Sequence, residues 1–162
     1  MKITYTWDKE LFEKASKVIY DYDMKHSPKR FLGWFFIALT QFGVVGALKQ
    51  NVYGLLVIST VLVIYWYGFR WNMRKKILLN GFEKSSSKNQ TFHINVSNDG
   101  INIKDTLINW SDIEQIILLQ DGFLIHHENL IYIPKKGFEN DNDIQVFISL
   151  AKENAKSFKK DT

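Results

Sequence analysis

Two uncharged stretches decide the fold of this chain. Phe31–Leu48 has the sequence FLGWFFIALTQFGVVGAL, and Val52–Phe69 has the sequence VYGLLVISTVLVIYWYGF. As a helix, each stretch would be about 27 Å long, close to the roughly 30 Å thickness of a bilayer's hydrocarbon core. Neither stretch has the polar stripe that a surface helix of a soluble protein needs. The pattern predicts two transmembrane helices, and a pair of buried core helices is the alternative.

Positive charges flank these stretches unequally. There is no Asp or Glu between Met24 and Phe82, and the outer flanks carry seven cations where the connection Lys49–Asn51 carries one. The positive-inside rule therefore predicts that both outer flanks, and both termini, lie in the cytoplasm. Six of the outer cations are candidate contacts for lipid head groups, and setting the topology alone is their other possible role. They are Lys29, Arg30, Arg70, Arg74, Lys75 and Lys76.

The composition excludes several classes of function. The net charge of +4 comes from the eight cations around the apolar stretches, because the rest of the chain has 13 Lys and Arg against 17 Asp and Glu. A nucleic-acid-binding surface is therefore not expected. With no Cys in the chain, disulfides, iron–sulfur clusters and a Cys nucleophile are excluded. A signal peptide is not expected either, since the first apolar run follows 30 mostly polar residues.

The short connection predicts an antiparallel hairpin, in which the numbers of facing residues sum to about 100. Gly46 would then face Gly54, where small residues allow close backbone approach. Gln41 would face Ser59 and Thr60, whose hydroxyls are partners for its amide. A polar residue inside a bilayer is a functional candidate, but a single Gln in a two-helix hairpin is better explained as an interhelical contact than as a transport site.

The remaining sequence predicts a mixed α+β fold. Before the hairpin, an alternating strand is followed by an amphipathic helix, with Asp8 as N-cap and Trp7 and Phe12 as a hydrophobic staple. After it, period-two alternation predicts about six more strands and a closing helix with Ala155 and Phe158 on its apolar face. The predicted segments are residues 1–30 (strand and helix), 31–69 (transmembrane hairpin, 31–48 and 52–69), 70–89 (basic flank and linker) and 90–160 (β domain with C-terminal helix).

Seven antiparallel strands and a C-terminal helix are the elements of a pleckstrin-homology-like barrel. In that arrangement the hairpin is an insertion between the first strand and the others. Asn98-Asp99-Gly100 is predicted as a hairpin turn, because Asp and Gly tolerate the left-handed backbone that such turns need. Four aspartates lie in or beside predicted turns, where this residue is common. They are Asp99, Asp105, Asp112 and Asp121.

The second half of the chain resembles the YcxB-like family of bacterial membrane proteins. The resemblance rests on Ile108-Asn109-Trp110-Ser111-Asp112-Ile113, on Ile116 and on Ile133-Pro134-Lys135-Lys136-Gly137-Phe138. The family has a similar W-x-x-I segment and a strand that ends in P-K and a Phe, and the layout of the whole chain is similar too. The resemblance implies a bacterial plasma (inner) membrane protein with a cytoplasmic pleckstrin-homology-like domain. It implies no particular activity.

No catalytic or metal-binding motif stands out. His126 and His127 are adjacent on a predicted strand, so their side chains point to opposite faces and cannot chelate one ion. No cofactor is expected. Trp110 is expected in the core, with a partner-binding anchor as the alternative. Lys135 and Lys136 would lie in a solvated turn or meet a lipid phosphate. The candidate interaction residues are Trp110, Pro134, Lys135, Lys136 and Phe138.

Three classes of function remain open. The first is a membrane-anchored, non-enzymatic module that binds lipid or an unknown protein partner. The second is an immunity protein that protects against a membrane-targeting toxin or bacteriocin. The third is a transport or channel component, which requires a homo-oligomer because two helices cannot enclose a pore. An enzyme is the least supported class.

Overall fold

The computed structural model describes residues 1–104 and 106–160. Its architecture is mixed α+β, with antiparallel sheets and two long apolar helices. The chain forms two compact units. The β unit contains residues 1–15 and the chain from residue 84 onward, and the helical unit contains residues 16–83. Asp105, which was predicted beside a turn, lies outside the described residues.

Among the described residues of the β unit, eight strands form two four-stranded sheets, with strand orders β1-β2-β3-β4 and β7-β6-β5-β8. The first strand pairs antiparallel with the second, with Ile3 opposite Ile94, although the helical unit separates them in sequence. The strands are β1 (Lys2–Thr6), β2 (Thr91–Val96), β3 (Gly100–Ile103), β4 (Thr106–Asn109), β5 (Gln115–Leu118), β6 (Gly122–His126), β7 (Leu130–Pro134) and β8 (Phe158–Lys160).

The end of the chain differs from the prediction. The closing helix α5 spans Asp141–Asn154, and Asn140 caps it by accepting a hydrogen bond from the backbone N–H of Asp143 at 2.9 Å. Phe158, predicted on the face of this helix together with Ala155, lies instead in β8, which pairs parallel with β5. This added strand covers an edge of β5 that would otherwise leave its backbone groups unpaired. The prediction of seven strands, all antiparallel, was therefore wrong.

Gly100 is needed for a different reason from the one predicted. The hairpin turn predicted at Asn98-Asp99-Gly100 is present, because β2 and β3 pair antiparallel on either side of it, but neither Asp99 nor Gly100 has the positive φ that was expected. Gly100 begins β3 opposite Asn109, and a Cβ there would collide with the carbonyl of Ile108 on the neighbouring strand. The glycine permits a close approach of two backbones.

The core of the β unit is centred on packed aromatic rings. Phe147 of α5 lies 4.7 Å from Phe123 of β6, 5.6 Å from Phe138 and 6.1 Å from Trp110, measured between ring centroids. Such separations are favourable for edge and offset aromatic pairs. Buried aliphatic residues complete the core of the β unit. They include Ile3, Ile94, Ile101, Ile113, Ile116, Leu124, Ile125 and Ile133.

The first helix begins as its sequence predicts. Helix α1 spans Lys9–His26, and the carboxylate of Asp8 accepts a hydrogen bond from the backbone N–H of Leu11 at 2.7 Å. The rings of Trp7 and Phe12 meet edge to face at 6.1 Å, which confirms the predicted staple.

The helical unit contains α2 (Arg30–Gln50) and one longer helix, Gly54–Glu83. The longer helix comprises α3 (Gly54–Ile64), a π-helical turn at Tyr65–Phe69 and α4 (Arg70–Glu83). The first part of the predicted basic flank and linker, residues 70–83, is helical, because the helix continues beyond the apolar stretch. Good helix formers such as Arg, Lys and Leu fill this part of the chain.

A three-residue connection joins the two apolar helices, but it consists of residues 51–53 rather than the predicted residues 49–51, because α2 continues to Gln50. Asn51 ends α2 in the left-handed conformation (φ 56°), and its backbone N–H donates to the carbonyl of Gly46. Asn is one of the few non-glycine residues that adopt this conformation readily.

Candidate functional site

The β unit contains an open cleft of about 280 Å³. It lies between the first turns of α1, the β5–β6 turn and the end of β7. The residues that line it are Glu10, Leu11, Lys14, Gln120, Asp121, Tyr132, Pro134, Lys135 and Lys136. Three residues of the predicted interaction set, Pro134, Lys135 and Lys136, therefore meet in one place, together with charged residues of α1 that the sequence reasoning did not select.

Most polar groups of this cleft hold the β5–β6 turn in place. The ammonium of Lys135 donates to the carbonyls of Leu119 at 2.9 Å and Gln120 at 2.7 Å. The ammonium of Lys14 lies 2.6 Å from the carboxylate of Asp121, and the hydroxyl of Tyr132 donates to the Asp121 carbonyl at 3.2 Å. The Lys14–Asp121 pair is half-exposed, so it adds little stability but is available to a partner.

Tyr132 is present as the neutral phenol. Burial, together with the negative charge of Asp121, raises its pKa to about 12. Because an uncharged phenol can donate a hydrogen bond, the raised pKa keeps the bond to the Asp121 carbonyl intact to a higher pH than an ordinary tyrosine would allow.

Four residues of the predicted interaction set have structural roles. Trp110 is 3% exposed, and its indole N–H donates to the carbonyl of Ser97 at 3.0 Å. This confirms the core interpretation of Trp110 and rules out a surface anchor. Pro134 and Phe138 are buried too, and the ammonium of Lys135 is bound to the β5–β6 turn. Lys136, in contrast, is exposed at the cleft and remains a candidate contact.

The helical hairpin has the predicted register but not the predicted contacts. A Cβ at Gly43 would lie 2.7 Å from Leu56 Cα, and one at Gly33 would lie 2.7 Å from Trp66 Nε1, so facing numbers do sum to about 100. At Gly54 a Cβ would meet no heavy atom within 4 Å, and at Gly46 its nearest would be 3.7 Å away. The close approach predicted for Gly46 and Gly54 is therefore at Gly43 instead.

The predicted polar contact across the hairpin is also wrong. Ser59, which is buried, donates to the carbonyls of Leu55 at 2.7 Å and Leu56 at 3.1 Å, and Thr60 donates to Leu56 at 2.7 Å. Both hydroxyls thus bond to their own helix rather than to Gln41, which is exposed. Ser and Thr often bond in this way inside helices, and this competes with contacts to a neighbouring helix.

The candidate lipid contacts differ in their surroundings. Lys29 lies 3.4 Å from the Asp23 carboxylate, and a guanidinium N–H of Arg30 donates to the Lys25 carbonyl at 3.2 Å. Lys75 is half-buried and Lys76 is exposed. The other two candidates, both arginines of α4, lie against aromatic rings.

These two arginines belong to an aromatic–cation cluster, which consists of Tyr20, Trp66, Arg70, Trp71 and Arg74. The guanidinium carbon of Arg70 lies 3.9 Å from the centroid of the Trp66 ring, and those of Arg70 and Arg74 each lie 5.3 Å from the Tyr20 ring. The Tyr20 and Trp71 rings are 5.1 Å apart. All these distances are within the range of cation–π and aromatic attraction.

Tyr20 was missed by the sequence reasoning. That reasoning assigned the apolar face of α1 by helical spacing, and Tyr20 lies outside the set it selected. The spacing of Tyr20 and Met24 could have identified Tyr20, because residues four apart lie on the same face of a helix. In the structure a guanidinium N–H of Arg70 points to the Met24 sulfur.

The histidines are engaged separately. His93 lies 3.2 Å from the Thr4 hydroxyl, and His126 lies 3.3 Å from the Glu114 carboxylate. Within residues 1–104 and 106–160, no three His, Asp or Glu side chains are grouped so that they could hold a metal ion.

The comparisons with known proteins find no relative of this chain. Neither a family model, nor a curated protein, nor a solved structure matches it. The resemblance to the YcxB-like family therefore stays a prediction from the sequence.

Proposed function

We propose that the helical unit anchors this protein in a bacterial plasma membrane. The observation that carries the proposal is the exposure of its apolar surface. Both helices are long and apolar enough to cross a bilayer, yet only 17% and 6% of their most apolar segments are buried. The core helices of a soluble protein would be mostly covered. Apolar surface that stays exposed along two whole helices marks interaction with a membrane or a partner.

The distribution of side chains within the helical unit fits this proposal. The exposed residues include many large aliphatic and aromatic side chains, such as Phe42 (67%), Leu48 (80%) and Val57 (60%). Charged residues lie at the ends, and the basic flanks place both termini in the cytoplasm by the positive-inside rule. The cytoplasmic boundary then contains Trp34, Trp66, Tyr67 and Trp71, as an aromatic belt requires.

We propose that the β unit is a cytoplasmic, non-enzymatic module that binds a protein or a lipid. Two packed sheets and the closing helix α5 support a pleckstrin-homology-like fold, as does the pairing of β1 with β2 across the inserted helical unit. Within that fold the cleft around Lys136 is the candidate contact surface. This arrangement agrees with the layout that the YcxB-like resemblance implies.

Extraction of membranes with alkaline carbonate tests the anchoring. Because the apolar helices would lie in hydrocarbon, the protein should stay in the pellet, and a variant with Lys135→Ala and Lys136→Ala should stay there equally. Release of the intact wild-type protein into the supernatant would refute the anchoring.

Photo-cross-linking in native membranes tests the interaction. A cross-linker at Lys136, on the cleft, is compared with one at Asn98, which is exposed but does not line the cleft. A specific adduct at position 136 supports a binding role for the cleft. Identical adducts at both positions would count against it.

A further inference from the structure

The aromatic–cation cluster has two guanidinium groups without an acidic partner. Neither Arg70 nor Arg74 forms an ion pair with a carboxylate among the described residues, whereas Lys17 pairs with Asp21 and Lys29 with Asp23. A guanidinium held against aromatic rings keeps its outward N–H groups available to an anion. The cluster therefore has a fixed positive charge that the rest of the helical unit does not neutralise.

The backbone beneath this cluster is irregular. At Tyr65–Phe69 the helix has a π-turn, in which the N–H of Arg70 donates to the carbonyl of Tyr65, five residues earlier. Such turns are rare, and they occur frequently at functional sites. Trp66 lies within this turn and Arg70 follows it directly, and these two residues have the shortest cation–π distance in the cluster. The irregular backbone is thus located where the arginine is positioned on its ring.

Packing fixes the aromatic side of the cluster. Trp66 packs edge to face on Phe36 of α2 at 5.5 Å and against Gly33, where a Cβ would lie 2.7 Å from its Nε1. On α1, Tyr20 contacts both guanidinium groups. Three helices therefore hold the two arginines, so the site is built into the helical unit and does not consist of flexible surface cations alone.

We propose that this cluster binds the phosphate of an anionic phospholipid head group such as phosphatidylglycerol. The inference rests on the membrane anchoring proposed above and deepens it. Arg binds phosphate oxygens through paired N–H groups, and Trp and Tyr favour the head-group level of a bilayer. Charge selects an anionic lipid over a zwitterionic one, because the described residues supply no carboxylate to the two guanidinium groups.

Tryptophan quenching by brominated lipids tests the proposal. The full chain, with Trp34→Phe in every protein so that Trp66 and Trp71 dominate the response, is reconstituted in vesicles of phosphatidylcholine and phosphatidylglycerol at about nine to one. Bromine is placed on one lipid or on the other. We expect each molecule of brominated phosphatidylglycerol to quench tryptophan fluorescence about fivefold more strongly than each molecule of brominated phosphatidylcholine.

Charge-matched variants separate a built site from diffuse attraction. Arg70→Gln with Arg74→Gln should reduce the preference to about one, whereas Lys2→Gln with Lys84→Gln, which removes the same charge from two exposed lysines outside the candidate lipid contacts, should retain most of it. If the double arginine variant fails to fold, Arg74→Gln alone should give an intermediate preference, since Arg74 is exposed. Equal losses in the arginine and lysine variants, or no preference in the wild-type protein, would overturn the proposal.

Two further measurements, flotation and competition with polyglutamate, distinguish a failure of the proposed head-group site from a failure of the proposed membrane anchoring. If the protein floats with pure phosphatidylcholine vesicles but shows no lipid preference, the anchoring stands and the head-group site is wrong. If it does not float, both are wrong. Displacement of phosphatidylglycerol by soluble polyglutamate at equal charge would also overturn the proposal and assign the cluster to an acidic protein segment.

Discussion

Two adjacent lysines at the end of β7 make different contacts. Lys135 donates to the carbonyls of Leu119 and Gln120, whereas Lys136 is exposed. We expect Lys135→Ala to destabilise the β unit by about 1–2 kcal/mol, because two carbonyls of the β5–β6 turn, one of them partly buried, lose a charged donor. Lys136→Ala should change stability by less than about 0.5 kcal/mol. Thermal unfolding of the full chain in detergent checks both, and equal effects would contradict the assigned roles.

Trp110 is one of the buried aromatic residues whose truncation should strongly destabilise the β unit. Its ring is buried against Phe147, and its indole N–H donates to the Ser97 carbonyl. Trp110→Ala should cost roughly 3–5 kcal/mol, and Trp110→Phe should cost less because it keeps most of the apolar volume. Denaturant unfolding followed by near-ultraviolet circular dichroism measures the difference. Unchanged stability with lost partner binding would restore the anchor interpretation.

Two tyrosines make the β unit sensitive to high pH. Burial raises the pKa of Tyr5 to about 12, and burial with the Asp121 charge raises that of Tyr132 to about 12. Because these values exceed the ordinary value near 10, the stabilisation is complete below pH 10 and is lost as the pH rises through about 12. Each tyrosine should contribute on the order of 2 kcal/mol.

Unfolding measured across this pH range tests the effect of the tyrosines. Stability of the wild-type protein should fall between about pH 10 and 12, and Tyr5→Phe should reduce the fall. An equally steep fall in the variant would show that another group is responsible.

Among the secondary-structure elements, the helical hairpin offers a matched pair of glycines. A Cβ at Gly43 would meet the backbone of Leu56, whereas a Cβ at Gly54 would meet nothing. Gly43→Ala should therefore destabilise the packed hairpin by about 1–3 kcal/mol, and Gly54→Ala should be neutral or slightly stabilising. Thermal loss of helical circular dichroism in detergent measures both. Equal melting of the two variants would show that the helices do not pack at Gly43.

The hairpin also shows what the sequence could predict. The length of the two uncharged stretches predicts that both helices exist. The three-residue connection between them predicts their antiparallel pairing and their approximate register. They do not fix helix rotation, because both helices are apolar on all sides. The choice between Gly43 and Gly46 depends on that rotation, and so does the separation of Gln41 from Ser59. The sequence alone therefore does not determine which of these residues are in contact.

The β unit was predictable where the pattern is local. The alternation in β2 and β3, the cap at Asp8 and the burial of Trp110 follow from side chains a few residues apart. Strand β8 and the cleft depend on contacts between distant segments, such as Ile116 with Phe158 and Lys14 with Asp121. A three-residue strand has too short a pattern to be distinguished from the end of a helix. The π-turn at Tyr65–Phe69 likewise has no distinctive amino-acid pattern from which it could be predicted.

Taken as a whole, the chain combines a β unit with a helical unit inserted between two paired strands. Since β1 and β2 are antiparallel neighbours, the chain leaves β1 and enters β2 at the same end of this strand pair, where Thr6 lies opposite Thr91. Such a connection agrees with a hairpin that enters and leaves a membrane on one side. The proposed topology, with an outer loop at Asn51 and a cytoplasmic β unit, rests on the basic flanks and the positive-inside rule.

Labelling of single cysteines with a membrane-impermeant maleimide tests this topology most directly. The chain has no Cys of its own, so Asn51→Cys and Ser86→Cys each introduce one unique site. In intact bacterial cells whose outer barrier admits the reagent, position 51 should be labelled, and position 86 should react only after the membrane is permeabilised. Labelling of both positions in intact cells, or protection of position 51 until lysis, would contradict the account.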